Sequence, residues 1–207
     1  MPVRTPDPDP DDLPDEPRLP SDLGASGLGA VPGGSSNPGW LSDFELETVR
    51  GRLPMLYVEA IPVRTDGVGE VTDVGILLRS TSVGEIKRTI VSGRVRYGET
   101  VRDALFRHLE NDLGPMAFPL LPPQPAPFTV AEYFPIPGVT AFHDDRQHAV
   151  SLAFVVPVSG TCEPRQDALE VTWLTPAEAS SDALAAEMEG GRGSLVRMAL
   201  ASVGALR

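Results

Sequence analysis

The chain has 207 residues, of which 17 are basic and 29 acidic, and its formal net charge is −12. This charge argues against a nucleic-acid duplex or an anionic membrane surface as a partner. Cys162 is the single cysteine, so no intrachain disulfide is available and a reducing, cytoplasmic location is expected. The sequence has no apolar run of membrane-spanning length and no signal-peptide pattern at its start.

Residues 1–39 differ in composition from the rest of the chain. They contain nine prolines, six glycines and seven acidic residues, and their only basic residues are Arg4 and Arg18. Such a segment cannot bury enough apolar surface to offset the entropy lost on ordering. We therefore predict a disordered acidic tail at 1–39 and a folded domain at 40–207. The tail could dock on a basic protein partner or simply remain solvated.

The first part of the predicted domain alternates short helices and strands. Ser42 and Glu45 have the spacing of a capping box and predict a helix that ends before Pro54. Strands are predicted at 55–64, 71–79 and 86–91, with a turn at 82–84 before the third. The second strand is apolar enough on both faces to lie inside a sheet.

A longer helix is predicted to open at Glu99 and Thr100. Apolar side chains follow at helical spacing and would form one buried stripe; they are Val101, Leu105, Leu109 and Leu113. Gly114 is the expected residue after the helix, and Pro115 stops its continuation.

The remainder of the chain predicts strands at 128–134, 148–158 and 168–174, with a long loop at 135–147. Helices are predicted at 176–188 and 194–206, separated by the glycines of 190–193. This order of elements predicts an α/β sandwich built on a mixed sheet.

Two segments carry a family resemblance. Residues 93–114 resemble a Nudix box, because Gly93, Glu99, Arg107, Leu109 and Gly114 fall on its positions. The three helix positions that hold glutamate in the box hold other residues here, which are His108, Asn111 and Asp112. Residues 171–178 also resemble the late strand-and-helix segment of Nudix proteins.

The sequence is thus identified as a member of the Nudix hydrolase superfamily. It resembles in particular an uncharacterised Nudix-like family of high-GC Gram-positive bacteria with a degenerate Nudix box. The resemblance implies a Nudix-type α/β/α sandwich with a mixed sheet. It also implies a metal-dependent hydrolase of a nucleoside diphosphate-linked substrate. The alternative is a catalytically inactive Nudix-fold module that binds a nucleotide-like ligand or a protein partner.

The resemblance assigns roles to several residues. Glu99, Asp112 and Arg107 are the expected catalytic residues, with Arg107 bracing Glu99. His108, Asp112 and Glu99 are the expected ligands of a divalent metal, Mg²⁺ or Mn²⁺, if the protein is active. Glu99 has a second interpretation as a favourable charge at the helix N-terminus.

A small nucleotide-like ligand would need phosphate and base contacts. Arg94 and Arg96 lie in the box loop and are candidates for binding phosphate, while Tyr133 could stack on a base. Solvent-exposed charge is the alternative for each arginine, as it is for Arg79 and Arg88. Residues 143–148 hold two histidines and two aspartates; they could add metal ligands or belong to an ordinary polar turn.

Overall fold

A curled mixed β-sheet forms the centre of the molecule. The computed structural model describes residues 41–80, 85–164 and 168–206. The strands are β1 (Met55–Thr65), β2 (Val71–Ser80), β3 (Ile86–Thr89), β4 (Val91–Arg94), β5 (Ala117–Pro119), β6 (Thr129–Phe134), β7 (Phe142–His143), β8 (Ala149–Gly160) and β9 (Ala168–Leu174).

The sheet is organised around the long strands β1 and β8. These two strands pair in parallel over nine residues of β1, from Met55 to Val63. The main path runs β3-β2-β1-β8-β6-β7, while β4 also pairs with β1, β5 with β8 and β9 with β2. All pairs other than β1–β8 and β6–β7 are antiparallel, so the sheet is mixed, as predicted.

The helices pack on both faces of this sheet. They are α1 (Asp43–Arg50), α2 (Val101–Leu113), α3 (Pro176–Ala179), α4 (Asp182–Glu187) and α5 (Arg192–Ser202). Each of the first three has a polar side chain at its N-cap. Ser42 and Thr175 complete capping boxes, and Thr100 accepts a hydrogen bond from the backbone of Asp103.

The two faces of β1 explain why its sequence is apolar almost throughout. Val58 and Ala60 belong to the core beneath α2. Ile61 and Val63 belong to the core beneath α3, α4 and α5. Side chains alternate along a strand, so a strand covered on both faces needs apolar residues at nearly every position. The predicted α/β/α sandwich is therefore confirmed.

The predicted stripe of α2 is also confirmed in its main part. Leu105, Leu109 and Leu113 are fully buried, while Val101 is only half-buried at the first turn. Gly114 ends the helix with φ +91°, and a side chain there would overlap the backbone of Glu163.

Three elements differ from the predictions. The strand predicted at 86–91 is divided at Ile90, because β3 pairs with β2 and β4 with β1. The helix predicted at 176–188 is two helices, because the Ser181 side chain caps a new N-terminus. Helix α5 starts at Arg192, two residues earlier than predicted, after Gly191 at φ +84°.

The predicted loop at 135–147 contains the short strand β7. The tail predicted at 1–39 and the turn at 82–84 lie outside the described residues. In the part of the chain that is described, no helix is both long and apolar enough to span a membrane.

Candidate functional site

Strand β4, which the loop of residues 95–100 connects to α2, packs against that helix through a glycine. Gly93 lies directly under the His108 imidazole, and a Cβ at this position would overlap the ring. A glycine is therefore required here by close packing. This contact fixes the distance between strand β4 and the middle of α2.

Glu99 and Arg107 form a bidentate ion pair between the loop and the helix. Arg107 Nε donates to Glu99 Oε1 at 2.6 Å, and Arg107 Nη2 donates to Oε2 at 2.7 Å. The backbone N–H of Arg96 also donates to Oε2, at 2.9 Å. The Arg107 hydrogen bonds lower the pKa of Glu99 against the opposing effect of burial. The Glu99 carboxylate is therefore charged at neutral pH.

His108 is largely buried and is held by the backbone of the loop. Its Nε2 lies 3.1 Å from the carbonyl oxygen of Arg94. Burial lowers the pKa of His108 to about 4, despite the opposing effect of that carbonyl. The ring is therefore neutral at pH 7. The carbonyl can only accept, so Nε2 carries the proton and donates.

Asp112 faces the sheet one turn after His108, and it is 6% exposed. Arg79 Nη2 lies 2.6 Å from Asp112 Oδ1. Arg79 lies near the end of β2, so this ion pair links the last turn of α2 to the strand. Glu110, two residues before Asp112 on the same helix, is exposed.

The resemblance to the Nudix box implies a divalent metal bound by Glu99, His108 and Asp112. Mg²⁺ requires several oxygen ligands with near-octahedral geometry. Here both oxygens of Glu99 contact Arg107 and Asp112 contacts Arg79. His108 donates Nε2–H to a carbonyl, so it could offer only the Nδ1 nitrogen and no oxygen. No group of three His, Cys, Asp or Glu side chains among the described residues could hold a metal ion. As placed, these side chains do not fit a divalent cation.

The two arginines predicted to bind phosphate occupy different surroundings. Arg94 pairs with Tyr57 across β4 and β1, and alternation places its side chain on the opposite face from Gly93 and α2. Arg94 Nη1 is buried with no hydrogen-bond partner among the residues described. Burial lowers the pKa of Arg96, and the positive charges of Arg107 and Arg94 lower it further. Positive charge is thus concentrated around Glu99.

Tyr133 belongs to a buried polar cluster that sequence reasoning missed. Its hydroxyl lies 3.0 and 2.9 Å from the two Glu59 carboxylate oxygens. Arg192 Nε donates to Glu59 Oε1 at 2.8 Å. Tyr133 is 2% exposed and Glu59 1% exposed. A contact between Tyr133 and substrate stays a prediction. The signal for the cluster was Glu59 itself, a carboxylate inside an otherwise apolar strand.

Burial and charge shift two pKa values in this cluster. Burial and the Glu59 charge together raise the pKa of Tyr133. For Arg192, burial opposes the charged form, but the Glu59 carboxylate outweighs it and raises the pKa. The cluster is therefore a charged pair with one phenol donor, enclosed between the sheet and α5.

The polar segment at 143–148 forms a turn held by its own side chains. Arg146 donates to both Asp144 oxygens, at 2.9 and 3.0 Å, and Gln147 donates to Oδ2 at 2.9 Å. Burial opposes ionisation of Asp144, but the Arg146 hydrogen bonds outweigh it and lower the pKa of this carboxyl. His148 stacks on Phe134 with ring centroids 4.4 Å apart.

A surface cavity of about 330 Å³ lies at the far ends of β1 and β8. Arg64, Thr65, Leu120 and residues 157–160 line it. None of these residues belongs to the box loop or to α2. The cavity is open and has no convergent acid–base groups, so the ionic arrangement on α2 remains the better candidate site.

Comparison with known families identifies the chain. Residues 36–205 match the model of a domain of unknown function, DUF4916. This chain belongs to the DUF4916 family. No curated protein matches this DUF4916 domain.

Solved structures place the domain in the Nudix superfamily, which confirms the resemblance. A Jonesia denitrificans protein described as a possible asymmetric diadenosine tetraphosphate hydrolase is 59% identical, with a TM-score of 0.73. The alignment covers 75% of this chain and 98% of that one.

More distant structures share the fold. The NUDIX domain of Shewanella oneidensis NrtR, complexed with ADP ribose, is 16% identical with a TM-score of 0.53, and 72% and 87% of the two chains align. A NUDIX hydrolase from Nitrosomonas europaea is 15% identical with a TM-score of 0.54, and 74% and 90% align.

Proposed function

We propose that this DUF4916 domain hydrolyses a phosphoanhydride bond in a nucleoside diphosphate-linked substrate, with the box loop and α2 as its site. The observation that carries the proposal is the 59% identity to the Jonesia denitrificans protein, which aligns over 98% of its length. In such a reaction the oxygen of water bonds to phosphorus as the P–O bond to the leaving phosphate breaks.

The charges around α2 support this assignment. Phosphoryl transfer depends on positive charge held close to the phosphate oxygens, and guanidinium groups can supply it. Arg107 binds Glu99 through its guanidinium, and the Arg96 backbone N–H donates to the same carboxylate. Arg107 also donates to the Arg94 carbonyl, and the charges of Arg94 and Arg107 both act on Arg96. Glu99, Asp112 and Arg107 remain the proposed catalytic residues, and Arg94 and Arg96 the proposed phosphate contacts.

A second candidate function is ligand binding without hydrolysis. It is favoured by the ion pairs, because Glu99 and Asp112 each contact an arginine. In this second candidate, the arginines would keep both carboxylates from coordinating a metal or taking a proton from water. Such a module would retain recognition of a nucleotide-like ligand and regulate a protein partner.

The test is product release from a panel of nucleoside diphosphate derivatives, including diadenosine tetraphosphate, with Mg²⁺, with Mn²⁺ and with EDTA. Glu99→Gln should abolish turnover. Glu110→Gln removes an exposed carboxylate from the same helix and should leave turnover unchanged. Absence of turnover in folded wild type, with binding retained on the same panel, selects the second candidate. Absence of both turnover and binding refutes both functions.

Two expectations about cellular context remain proposals. A cytoplasmic location is supported by the lone Cys162. A basic protein partner is supported by the acidic composition of residues 1–39. Deletion of residues 1–39 that leaves partner binding intact in a pull-down would refute the second of these.

A further inference from the structure

The carboxylate of Asp112 already has a cation beside it. Asp112 is 6% exposed, and a charged carboxylate so enclosed requires a countercharge. The Arg79 guanidinium provides it, with 2.6 Å between Nη2 and Oδ1. An arginine side chain keeps its proton in proteins, so this countercharge is permanent.

The other two predicted metal ligands, one on α2 and one in the loop before it, also have contacts of their own. Both oxygens of Glu99 accept hydrogen bonds from Arg107. His108 donates Nε2–H to the Arg94 carbonyl and keeps only Nδ1 as a possible ligand. A divalent ion at Asp112 would therefore have to displace Arg79 from the carboxylate. It would then lie next to the displaced guanidinium charge, which would repel it.

Arg79 can also interact with a group other than Asp112. Its position in β2 is fixed by pairing with Lys87 of β3. Its side chain remains 28% exposed, so the guanidinium is not sealed inside the core. Its Nε is a buried donor without an acceptor in the described part of the chain. The group is therefore a rigid cation with hydrogen-bonding capacity left over.

We propose that the guanidinium of Arg79, held on Asp112, stands where a divalent cation would bind on α2, and that α2 therefore works without a metal. The Arg79 guanidinium binds a phosphate oxygen of the substrate in place of the metal. That assignment rests on the proposed function. The exclusion of metal can be measured without any substrate, so the two can fail separately.

The test is a Mn²⁺ titration of the full chain, followed by the electron paramagnetic resonance signal of free Mn²⁺. Wild type should show no binding stronger than about 1 mM. Arg79→Met should gain at least about tenfold in Mn²⁺ affinity, because Asp112 loses its guanidinium. The double variant Arg79→Met with Asp112→Asn should lose that gain. Arg88→Met is the matched control and should leave binding unchanged. Arg88 is 30% exposed and pairs with Glu187, away from α2.

Two results would overturn the proposal. One is tight Mn²⁺ binding by wild type that disappears in Asp112→Asn, because the cation on α2 would then be the metal. The other is folded Arg79→Met that gains no affinity. If Arg79→Met does not fold, the comparison of wild type with Asp112→Asn decides the question by itself.

Discussion

The contact between Gly93 and His108 gives the sharpest prediction about how α2 is positioned. A Cβ at position 93 would overlap the imidazole. The ring cannot rotate away cheaply, because its Nε2 is held by the Arg94 carbonyl and Leu109 beside it is fully buried. Gly93→Ala should therefore cost about 1–3 kcal/mol of the free energy of unfolding, the usual range for overpacking. For a domain of this size, that lowers the Tm by about 2–12 °C.

The assay is urea denaturation of a double-mutant cycle between Gly93→Ala and His108→Ala. With the ring removed, Gly93→Ala should be neutral or stabilise by up to about 1 kcal/mol, because alanine restricts the unfolded chain. The coupling between the two sites should then be at least about 1 kcal/mol. Gly67→Ala, at a turn with nothing near the added Cβ, is the control and should be close to neutral. An equal cost of Gly93→Ala with and without His108 would refute the steric explanation.

Three further predictions concern the charged and titrating groups. Glu99→Gln should cost about 1–3 kcal/mol through lost charged hydrogen bonds. The pKa of Glu99 is lowered in the folded protein, so its contribution to the free energy of unfolding is present above the unfolded pKa and is lost as pH falls through the folded pKa. Urea denaturation over this pH range should show the difference between wild type and Glu99→Gln shrinking, and a constant difference would contradict the prediction. Because the pKa of His108 is about 4 in the folded protein, the free energy of unfolding should fall as pH drops from about 6.5 to 4, where only the unfolded chain binds a proton at this residue. An NMR titration that places the His108 pKa near 6.5 would contradict this prediction. Tyr133→Phe should cost about 1–3 kcal/mol by removing a donor from buried Glu59, and an unchanged Tm would argue against that hydrogen bond.

Periodicity was sufficient to predict much of the fold. The spacing of Leu105, Leu109 and Leu113 predicts the buried face of α2, because helical periodicity and burial are directly linked. The continuous apolar run of β1 is consistent with its position between two helical layers. The break at Ile90 was not predictable, because it depends on β3 and β4 pairing with different strands, and partner choice leaves no local pattern.

Only those parts of the candidate site that are close together in the sequence could be predicted. The glycine and carboxylate spacing of the box identified Glu99 and Arg107, which form an ion pair in the structure. It also identified Gly93, which packs against His108. The pairing of Asp112 with Arg79 and of Glu59 with Arg192 joins distant segments, 133 residues apart in the second case. Such pairs are set by sheet topology and helix packing, so a single sequence gives no direct sign of them.

The central claim is that a nucleotide-linked phosphate binds at the box loop and α2. Titration of ¹⁵N-labelled protein with diadenosine tetraphosphate in EDTA, followed by ¹H–¹⁵N correlation spectra, tests it most directly. The account predicts saturable shifts centred on the amides of 94–99 and 108–112. Shifts confined to other parts of the molecule, such as the cavity beside Arg64, would contradict it.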